Sequence, residues 1–170
     1  MIHGLDAFKQ EHEEAKRSTE GRKTRVGIIG TGWIAEAHMD SYLKMEDVEV
    51  VALADIVPGK AAAFAEKFGV RPHIYNSDVE LLENEKGLDA VSICTYNCQH
   101  APCAIHALDH GINVMLEKPF TVTLDEAIEV MKAEKRSGKI LTIGFQPRMS
   151  ANMQMIKKIV ESGELGKIYY

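Results

Sequence analysis

A glycine-rich loop contains the first residues of this sequence whose types and spacing could do chemistry. In VGIIGTGWIAEAH, Gly30, Gly32 and Ala35 form the pattern G-x-G-x-x-A between an apolar run and a helical pattern. Gly30 permits a tight turn, Gly32 lets the backbone approach a pyrophosphate, and Ala35 lets the helix pack closely on the strand. The helix N-terminus would then present free N–H groups to a phosphate.

An acidic residue beyond the loop indicates what the glycine pattern could bind. Asp55 ends the apolar run VVALAD, about 20 residues past the loop, where an acid binds the hydroxyls of an adenosine ribose. A glycine triplet alone is equally typical of a tight turn without a ligand. The two features together predict dinucleotide binding. The acid favours NAD over NADP because it would repel a 2′-phosphate, although Lys60 follows close behind.

Two later apolar runs also end in polar residues that are poor core material. The run before CTYNCQH and the run before KPF contribute Thr95, Asn97, His100, Glu117 and Lys118. In a doubly wound sheet, ligands bind beyond the carboxyl ends of the strands, where these residues would lie. Methyltransferases that use S-adenosylmethionine share the glycine loop and the acid, but this second half of the chain argues against them.

The elements that must position these residues alternate regularly. Six short apolar runs, typical of strands covered on both faces, are RVGIIG, VEVVALAD, HIYN, LDAVSICT, INVMLE and ILTIGF. Helical patterns lie between them, with capping-box pairs (Ser77 with Glu80, Thr123 with Glu126) and terminal glycines (Gly69, Gly111, Gly138, Gly163). The pattern predicts an α/β fold: a Rossmann-type, doubly wound parallel sheet with helices on both faces.

Changes in sequence character divide the chain into three parts. Residues 1–23 are polar and read as an N-terminal extension. Residues 24–165 carry the repeated strand–helix pattern and form the predicted NAD(P)-binding Rossmann domain. Residues 166–170 end in KIYY, which reads as the opening of a strand, and we expect them to begin a second, truncated domain.

Composition narrows the class of protein. The chain has 170 residues, 45% hydrophobic and 26% charged, with a net charge of −5. This charge argues against nucleic acid as a partner, and no apolar run approaches the roughly 18 residues of a membrane span. The three cysteines match no usual zinc pattern and fit a reduced compartment, so we expect a cytoplasmic protein.

The histidines do not predict a metal site. His106 and His110 are four residues apart on a helix, but the zinc-protease motif requires Glu where Ala107 stands. His38 reads as a structural residue of the first helix, and His73 as a residue at a strand edge. Of the histidines, His100 alone occupies a position where we expect contact with a cofactor.

From Arg25 to Tyr170 the chain resembles the Gfo/Idh/MocA oxidoreductase family, which includes glucose–fructose oxidoreductases and inositol dehydrogenases. The resemblance rests on Asp55 and on the segments GIIGTGWIAEAH, TYNCQHAPCAIHALDHGINVMLEKP and GFQPRMSANMQMIKKIVESGELGKIYY. The pattern N-x-x-H followed by G-x-x-V-x-x-E-K-P is far more specific than the glycine loop. It implies NAD(P)-dependent hydride transfer between nicotinamide and a hydroxyl of a sugar, inositol or related polyol.

The resemblance also implies roles for particular residues. Those lining the pyrophosphate and adenosine ribose would be Gly30, Gly32, Trp33, Ile34 and Asp55. Those near the nicotinamide, its ribose and the substrate would be Thr95, Asn97, His100, Glu117, Lys118, Gln146 and Arg148. Lys118 is the implied catalytic or substrate-orienting lysine, which could share the hydroxyl proton or polarise the forming carbonyl. The hydride chemistry itself belongs to the cofactor.

Relatives in this family continue with an open β-sheet domain after GKIYY. That domain covers the nicotinamide, supplies a further acid and histidine, and usually forms the oligomer. We therefore expect the 170-residue chain to bind cofactor without full turnover, and the complete protein to be a homo-oligomer. Two alternatives stay open: a non-catalytic dinucleotide-binding module, and an NAD-dependent glycosidase that works through transient oxidation.

Overall fold

The structure is a computed structural model that describes residues 21–169. Its strands are β1 (Thr24–Ile29), β2 (Val48–Ala54), β3 (His73–Tyr75), β4 (Ala90–Ile93), β5 (Asn113–Leu116) and β6 (Leu141–Ile143). Its α-helices are α1 (Trp33–Tyr42), α2 (Lys60–Phe68), α3 (Asp78–Asn84), α4 (Asn97–Asp109), α5 (Leu124–Ser137) and α6 (Ala151–Ser162), with a 3₁₀ turn over Gln146–Met149. Each of the six predicted strands is present.

The strands form one sheet in the order β3-β2-β1-β4-β5-β6, and every neighbouring pair is parallel. The chain winds outward from β1 in one direction as far as β3, and then returns to the centre to continue from β4 in the other direction. This is the doubly wound topology that the alternating pattern predicts, so the fold prediction is confirmed. The point where the winding reverses lies between β1 and β4.

Helices cover both faces of the sheet, as predicted. On one face, α1 and α2 pack on the sheet through a core that includes Met39, Leu53 and Phe64. On the other face, α3, α4 and α5 pack on a second core that includes Leu108 and Val130. Because each central strand is buried on both sides, its sequence is a continuous apolar run and not an alternating one.

The helix ends largely follow the predicted caps. The Thr123 hydroxyl accepts from the Glu126 N–H at 3.2 Å, while Glu126 Oε2 accepts from the Thr123 N–H at 3.0 Å. At α3, the Ser77 hydroxyl accepts from the Glu80 N–H at 3.0 Å, but Glu80 Oε2 accepts from the Asn76 N–H, so only half of that capping box forms. Left-handed glycines end α2, α5 and α6.

The predicted N-terminal extension lies outside the described residues, except for positions 21–23. Within these, Arg22 makes a two-pronged ion pair with Asp89, with N–O distances of 2.6 and 2.7 Å. At the other end of the chain, α6 has no buried residue, and residues 166–169 carry no strand. The second domain predicted from residue 166 onward stays a prediction.

The topology brings the predicted polar residues to one edge of the sheet. All six strands point the same way, so their carboxyl ends lie along a single edge. Helices α1 and α4 begin after the adjacent strands β1 and β4, and α1 lies on the face opposite to α4. A crevice therefore opens between the two loops, as in other sheets whose winding reverses at this point.

Candidate functional site

A cavity of about 460 Å³ occupies this crevice. Its walls come from the loops that follow β1, β2, β4 and β5, together with the start of α3. The volume lies within the range of small-molecule and cofactor sites, about 300–1,000 Å³. Of the predicted site residues, those on the cavity wall are Gly30, Gly32, Trp33, Ile34, Asp55, Thr95, Asn97, His100, Glu117 and Lys118.

The glycine loop lines the middle of the cavity, because β1 lies between β2 and β4 in the sheet. Gly30 has φ +86°, and a Cβ there would lie 2.8 Å from the carbonyl of Cys94, so both conformation and space demand glycine. Gly32 caps α1, and a Cβ on it would meet no atom within 4 Å. The N-terminus of α1 thus opens onto free space. Ala35 is fully buried, which confirms its close-packing role.

Asp55 is fixed beside this loop by a dense set of hydrogen bonds. Its Oδ2 accepts from the N–H and the hydroxyl of Thr31, at 2.8 and 2.7 Å, and its Oδ1 accepts from the Val57 N–H at 2.9 Å. Burial alone would raise the pKa of Asp55, but these bonds together with one from Lys60 outweigh burial and lower it. Asp55 is therefore an ionised acceptor at neutral pH.

Lys60 partly offsets this charge. Its Nζ lies 3.2 Å from Asp55 Oδ2, and its side chain is about two-fifths exposed on the cavity wall (41%). The apolar side chains of Ile56 and Val57 lie on the same wall and are also exposed. The end of the cavity on the side of β2 therefore offers an acid for hydroxyl groups, a neighbouring cation, and an apolar surface that suits a planar base.

The opposite end of the cavity is formed by the residues after β4 and β5. Glu117 is buried, and its Oε2 accepts from the Lys118 N–H at 3.2 Å. The Lys118 side chain is exposed on the cavity wall. The hydroxyl oxygen of Thr95 is buried and has no hydrogen-bond partner among residues 21–169, so a bound molecule could supply one.

His100 contacts the loop after β4 and the loop after β5, which form this end of the cavity. Its Nδ1 lies 2.7 Å from the Pro119 carbonyl oxygen, and its Nε2 lies 3.3 Å from that of Thr95. The side chain is buried on the cavity wall, with its ring nitrogens directed at backbone oxygens. Its predicted contact with a cofactor stays a prediction.

Two of the predicted residues lie outside the cavity wall. Gln146 reaches the site through another side chain, because its Nε2 donates to Glu117 Oε1 at 3.0 Å. Arg148 is exposed in the 3₁₀ turn, where its carbonyl accepts from Gln154 Nε2 at 3.4 Å. The structure thus links Gln146 to the site and does not bring Arg148 to it.

Several residues that shape the site were not among the site residues predicted from the sequence. Thr31 holds Asp55, and Ser92 and His38 form part of a buried polar network behind Glu117. A polar Ser92 within the apolar run AVSIC is a signal that could have been noticed. His38 could have been noticed because it shares the buried face of α1 with Ala35 and Met39.

Cys94 and Cys103, the two cysteines on the cavity wall, are not reactive groups of this site. Burial, with a smaller effect of Glu117, raises the pKa of the Cys94 thiol to about 12. Burial, with the nearby Asp78 carboxylate, does the same to Cys103. Both thiols therefore stay protonated at neutral pH and are poor nucleophiles. His106 bonds to Asp78 and His110 to a carbonyl of its own helix.

The residues present fit a bound dinucleotide. The glycine turn and the open helix N-terminus suit a pyrophosphate, and Asp55 suits the hydroxyls of one ribose. The unpartnered Thr95 hydroxyl and the buried Glu117 carboxylate offer a donor and an acceptor to a second nucleoside. A doubly wound sheet with such a crevice at its reversal point has the fold of Rossmann-type dinucleotide-binding domains.

Comparison with known families agrees with this class. Residues 24–145 match the model of the Gfo/Idh/MocA family, described as an oxidoreductase family with an NAD-binding Rossmann fold. The chain therefore belongs to this family, and its doubly wound sheet is the family's NAD-binding domain. No helix in the part of the chain that the structure describes is long and apolar enough to cross a membrane.

Three relatives illustrate the likeness. Inositol 2-dehydrogenase of Salmonella typhimurium LT2 is 36% identical over 145 residues, which cover 84% of this chain and 43% of the relative. D-glucoside 3-dehydrogenase of Escherichia coli K12 is 35% identical over 146 residues, with 85% and 41% covered. The crystal structure of the WlbA dehydrogenase from Bordetella pertussis, in complex with NADH and UDP-GlcNAcA, is 28% identical with a TM-score of 0.79, covering 87% of this chain and 45% of that one.

The present chain spans less than half the length of these curated relatives. The matched part is the sheet with its helices, so the comparisons support the fold and the cofactor class. The reaction and the substrate of a whole protein depend on more than this part.

Proposed function

We propose that this chain is the cofactor-binding part of an NAD-dependent oxidoreductase acting on a hydroxyl group of a sugar, inositol or related polyol. The observation that carries the proposal is one cavity lined by Asp55 on the side of β2, by Gly30 in the middle, and by Glu117 and Lys118 on the side of β5. The relatives' names as inositol and D-glucoside dehydrogenases support the reaction and the substrate class.

Different parts of the cavity would bind different parts of the dinucleotide. The N–H groups of the loop at Gly32 and of the α1 N-terminus would hold the pyrophosphate, where the helix dipole favours negative charge. Asp55 would accept from the hydroxyls of the adenosine ribose, and its ionised state favours NAD over NADP. Thr95 and Glu117 would face the second nucleoside, with Asn97 at the N-terminus of α4 beside them.

Lys118 is the residue we assign to chemistry at the substrate. The nicotinamide ring, when bound, exchanges a hydride with the carbon that carries the hydroxyl group. A Lys118 ammonium would donate to the substrate oxygen, orient it and, in the direction of reduction, give that oxygen a proton from Nζ; in the direction of oxidation the neutral amine would take the hydroxyl proton. Gln146 and Arg148 follow β6 and are further candidates for substrate or cofactor contact.

Three wider expectations belong to the same proposal. A cytoplasmic location is supported by the cysteines, which are all free thiols. For the complete protein, we propose a homo-oligomer and a small-molecule partner. We do not assign nucleic acid or a membrane as a partner, in keeping with the net charge of −5.

Binding of NADH to this chain is the first test. Trp33, the one tryptophan in the sequence, lines the cavity, so energy transfer from it to bound NADH gives a direct titration signal. We expect saturable binding that Gly32→Asp weakens by at least about tenfold, because the added charge would face the pyrophosphate. Ala37→Asp, which adds the same charge to an exposed position of the same helix, is the matched control. No saturable binding by the folded chain would refute the proposal.

Lys118→Ala is the second test, and it separates chemistry from binding. In the complete enzyme, we expect the change to lower kcat, with the affinity of this chain for NADH unchanged within a few-fold. The physical reason is that Lys118 would act on the substrate oxygen and not on the phosphates or on the adenosine. Unchanged kcat would remove Lys118 from the reaction.

A further inference from the structure

A buried chain of polar side chains runs behind the far end of the cavity. His38 Nε2 lies 2.9 Å from Glu117 Oε1, and His38 Nδ1 lies 3.1 Å from Ser92 Oγ. Ser92 Oγ in turn lies 2.6 Å from the Tyr42 hydroxyl oxygen. His38, Ser92 and Glu117 are all buried, and the sequence patterns that predict the site give this chain no role.

The donor and the acceptor of each of these hydrogen bonds can be assigned by starting from the Glu117 carboxylate. A carboxylate only accepts, so a neutral His38 must carry its proton on Nε2 and donate it to Glu117. Nδ1 is then an acceptor, and the hydroxyl of Ser92 donates to it. The Ser92 oxygen in turn accepts from the hydroxyl of Tyr42. The chain therefore holds one tautomer of the imidazole and aims its N–H at Glu117.

Glu117 is held from other sides as well. Its Oε1 also accepts from Gln146 Nε2 at 3.0 Å, and its Oε2 accepts from the Lys118 N–H. A Cβ on Gly144 would lie 2.8 Å from Oε1, so the backbone after β6 packs directly against the carboxylate. Oε1 thus accepts from two side chains, whereas Oε2 accepts one backbone N–H and keeps acceptor capacity. Glu117 lines the cavity.

The position of Glu117 indicates which part of a ligand it faces. A dinucleotide with its pyrophosphate at the glycine turn and one ribose at Asp55 must place its second nucleoside at the opposite end. There, the groups of a nicotinamide nucleoside that can donate to a carboxylate are the ribose hydroxyls and the carboxamide. A rigid acceptor would favour binding because its orientation is set before the ligand arrives.

We propose that His38 is a positioning residue for the nicotinamide end of the site, acting through the Glu117 carboxylate. Ser92 and Tyr42 support it by fixing its tautomer. The inference rests on the proposed dinucleotide site and adds to it a residue that does not touch the ligand. Its consequence is specific, because loss of His38 should affect the second nucleoside and leave the adenosine diphosphate half unaffected.

The test compares two ligands that differ by that half. NADH is titrated through energy transfer from Trp33, and ADP, which ends at the pyrophosphate, is titrated by calorimetry. We expect His38→Ala to weaken NADH binding about tenfold and to change ADP binding less than twofold. His38→Gln, whose amide can donate from near the Nε2 position, should restore NADH binding to within about threefold. The control is His110→Ala, which changes an exposed histidine that follows the last residue of α4.

Several results would overturn the inference. Equal weakening of NADH and ADP would make His38 merely structural, and unchanged NADH binding would deny it any role. If His38→Ala does not fold, Ser92→Ala decides: we expect NADH binding to weaken about threefold with ADP unchanged, and no change in NADH binding overturns the inference. If the unmodified chain binds neither NADH nor ADP, the proposed function is refuted together with this inference. If the unmodified chain binds both ligands and the variants bind them equally well, only this inference is refuted.

Discussion

Asp55, the proposed ribose-binding acid, also holds together the loops around it. Its Oδ2 takes two bonds from Thr31 and one from Lys60, and its Oδ1 takes one from Val57. The hydrogen bonds to Thr31 join Asp55 to the glycine loop, so the proposed positions of the pyrophosphate and the adenosine ribose are fixed relative to each other. Oδ1 carries the single bond and keeps acceptor capacity for a ribose hydroxyl.

The opposite charges of Asp55 and Lys60 predict opposite effects on cofactor preference. Asp55→Asn removes the charge that repels a 2′-phosphate, so the preference for NADH over NADPH should narrow by about tenfold, or about 1.4 kcal/mol. Lys60→Met removes the nearby cation and should widen the preference by a few-fold. Affinities for both cofactors, measured through Trp33, check this. The control is Lys67→Met, because Lys67 pairs with Glu36 on the surface. A change of cofactor preference in the same direction for Asp55→Asn and Lys60→Met would contradict the prediction.

The start of α5 shows how an element positions a functional loop. Glu126 Oε2 accepts from the N–H groups of Thr123 and of Val122, each at 3.0 Å. The capping box therefore fixes the helix and the last residues of the loop that begins at Lys118. Because the cap satisfies N–H groups that a helix leaves open, it also contributes to the stability of the domain.

Thr123→Ala is expected to lower the free energy of unfolding by about 1 kcal/mol, since it removes the acceptor for the Glu126 N–H. Urea denaturation followed by circular dichroism measures the change. Thr123→Ser keeps a hydroxyl in the same place and should match the unmodified chain. Equal stability of the Ala and Ser variants would show that the cap does not contribute.

At the scale of the whole molecule, paired carboxylates make stability depend on pH. The two-pronged hydrogen bonds from Arg22, together with the Arg25 N–H, lower the pKa of Asp89, although burial opposes the shift. Similarly, Arg136 lowers the pKa of Asp109. A lowered pKa in the folded state means that the ionised carboxylate stabilises the fold at neutral pH. That contribution is lost as the pH falls through the folded-state pKa, below about 4.

Asp89→Asn should therefore destabilise the fold at pH 7 and matter less in acid. We expect a loss of about 1 kcal/mol at pH 7, a modest figure because Arg22 is half exposed and solvent screens the pair. The difference between the two proteins should shrink as the pH falls from about 4 towards and through the lowered folded-state pKa of Asp89, because protonation removes the charge that Arg22 stabilises. Unfolding by urea at pH 7 and pH 3 measures it, and a difference that is equal at both values would contradict the prediction.

The sequence by itself determined the fold. Short apolar runs are typical of strands covered on both faces, and their alternation with capped helices indicates parallel winding. Gly30 and Asp55 were found because their spacing is set by one local strand–turn–helix–strand unit. Hydrophobic periodicity and steric limits act between residues that are close in sequence, so the strands, helices and turns that they produce can be predicted from the sequence.

Only the tertiary structure decided what surrounds Glu117. His38 lies 79 residues before it and 54 residues before Ser92, and no local pattern links such distant positions. The contacts arise because the fold places the buried face of α1 beside Ser92 of β4 and Glu117 after β5, which depends on strand order and side-chain packing. The same packing leaves Arg148 outside the cavity wall and directs the ring nitrogens of His100 at backbone oxygens. Chemical type and spacing locate a strand end, but the fold sets where its side chains point.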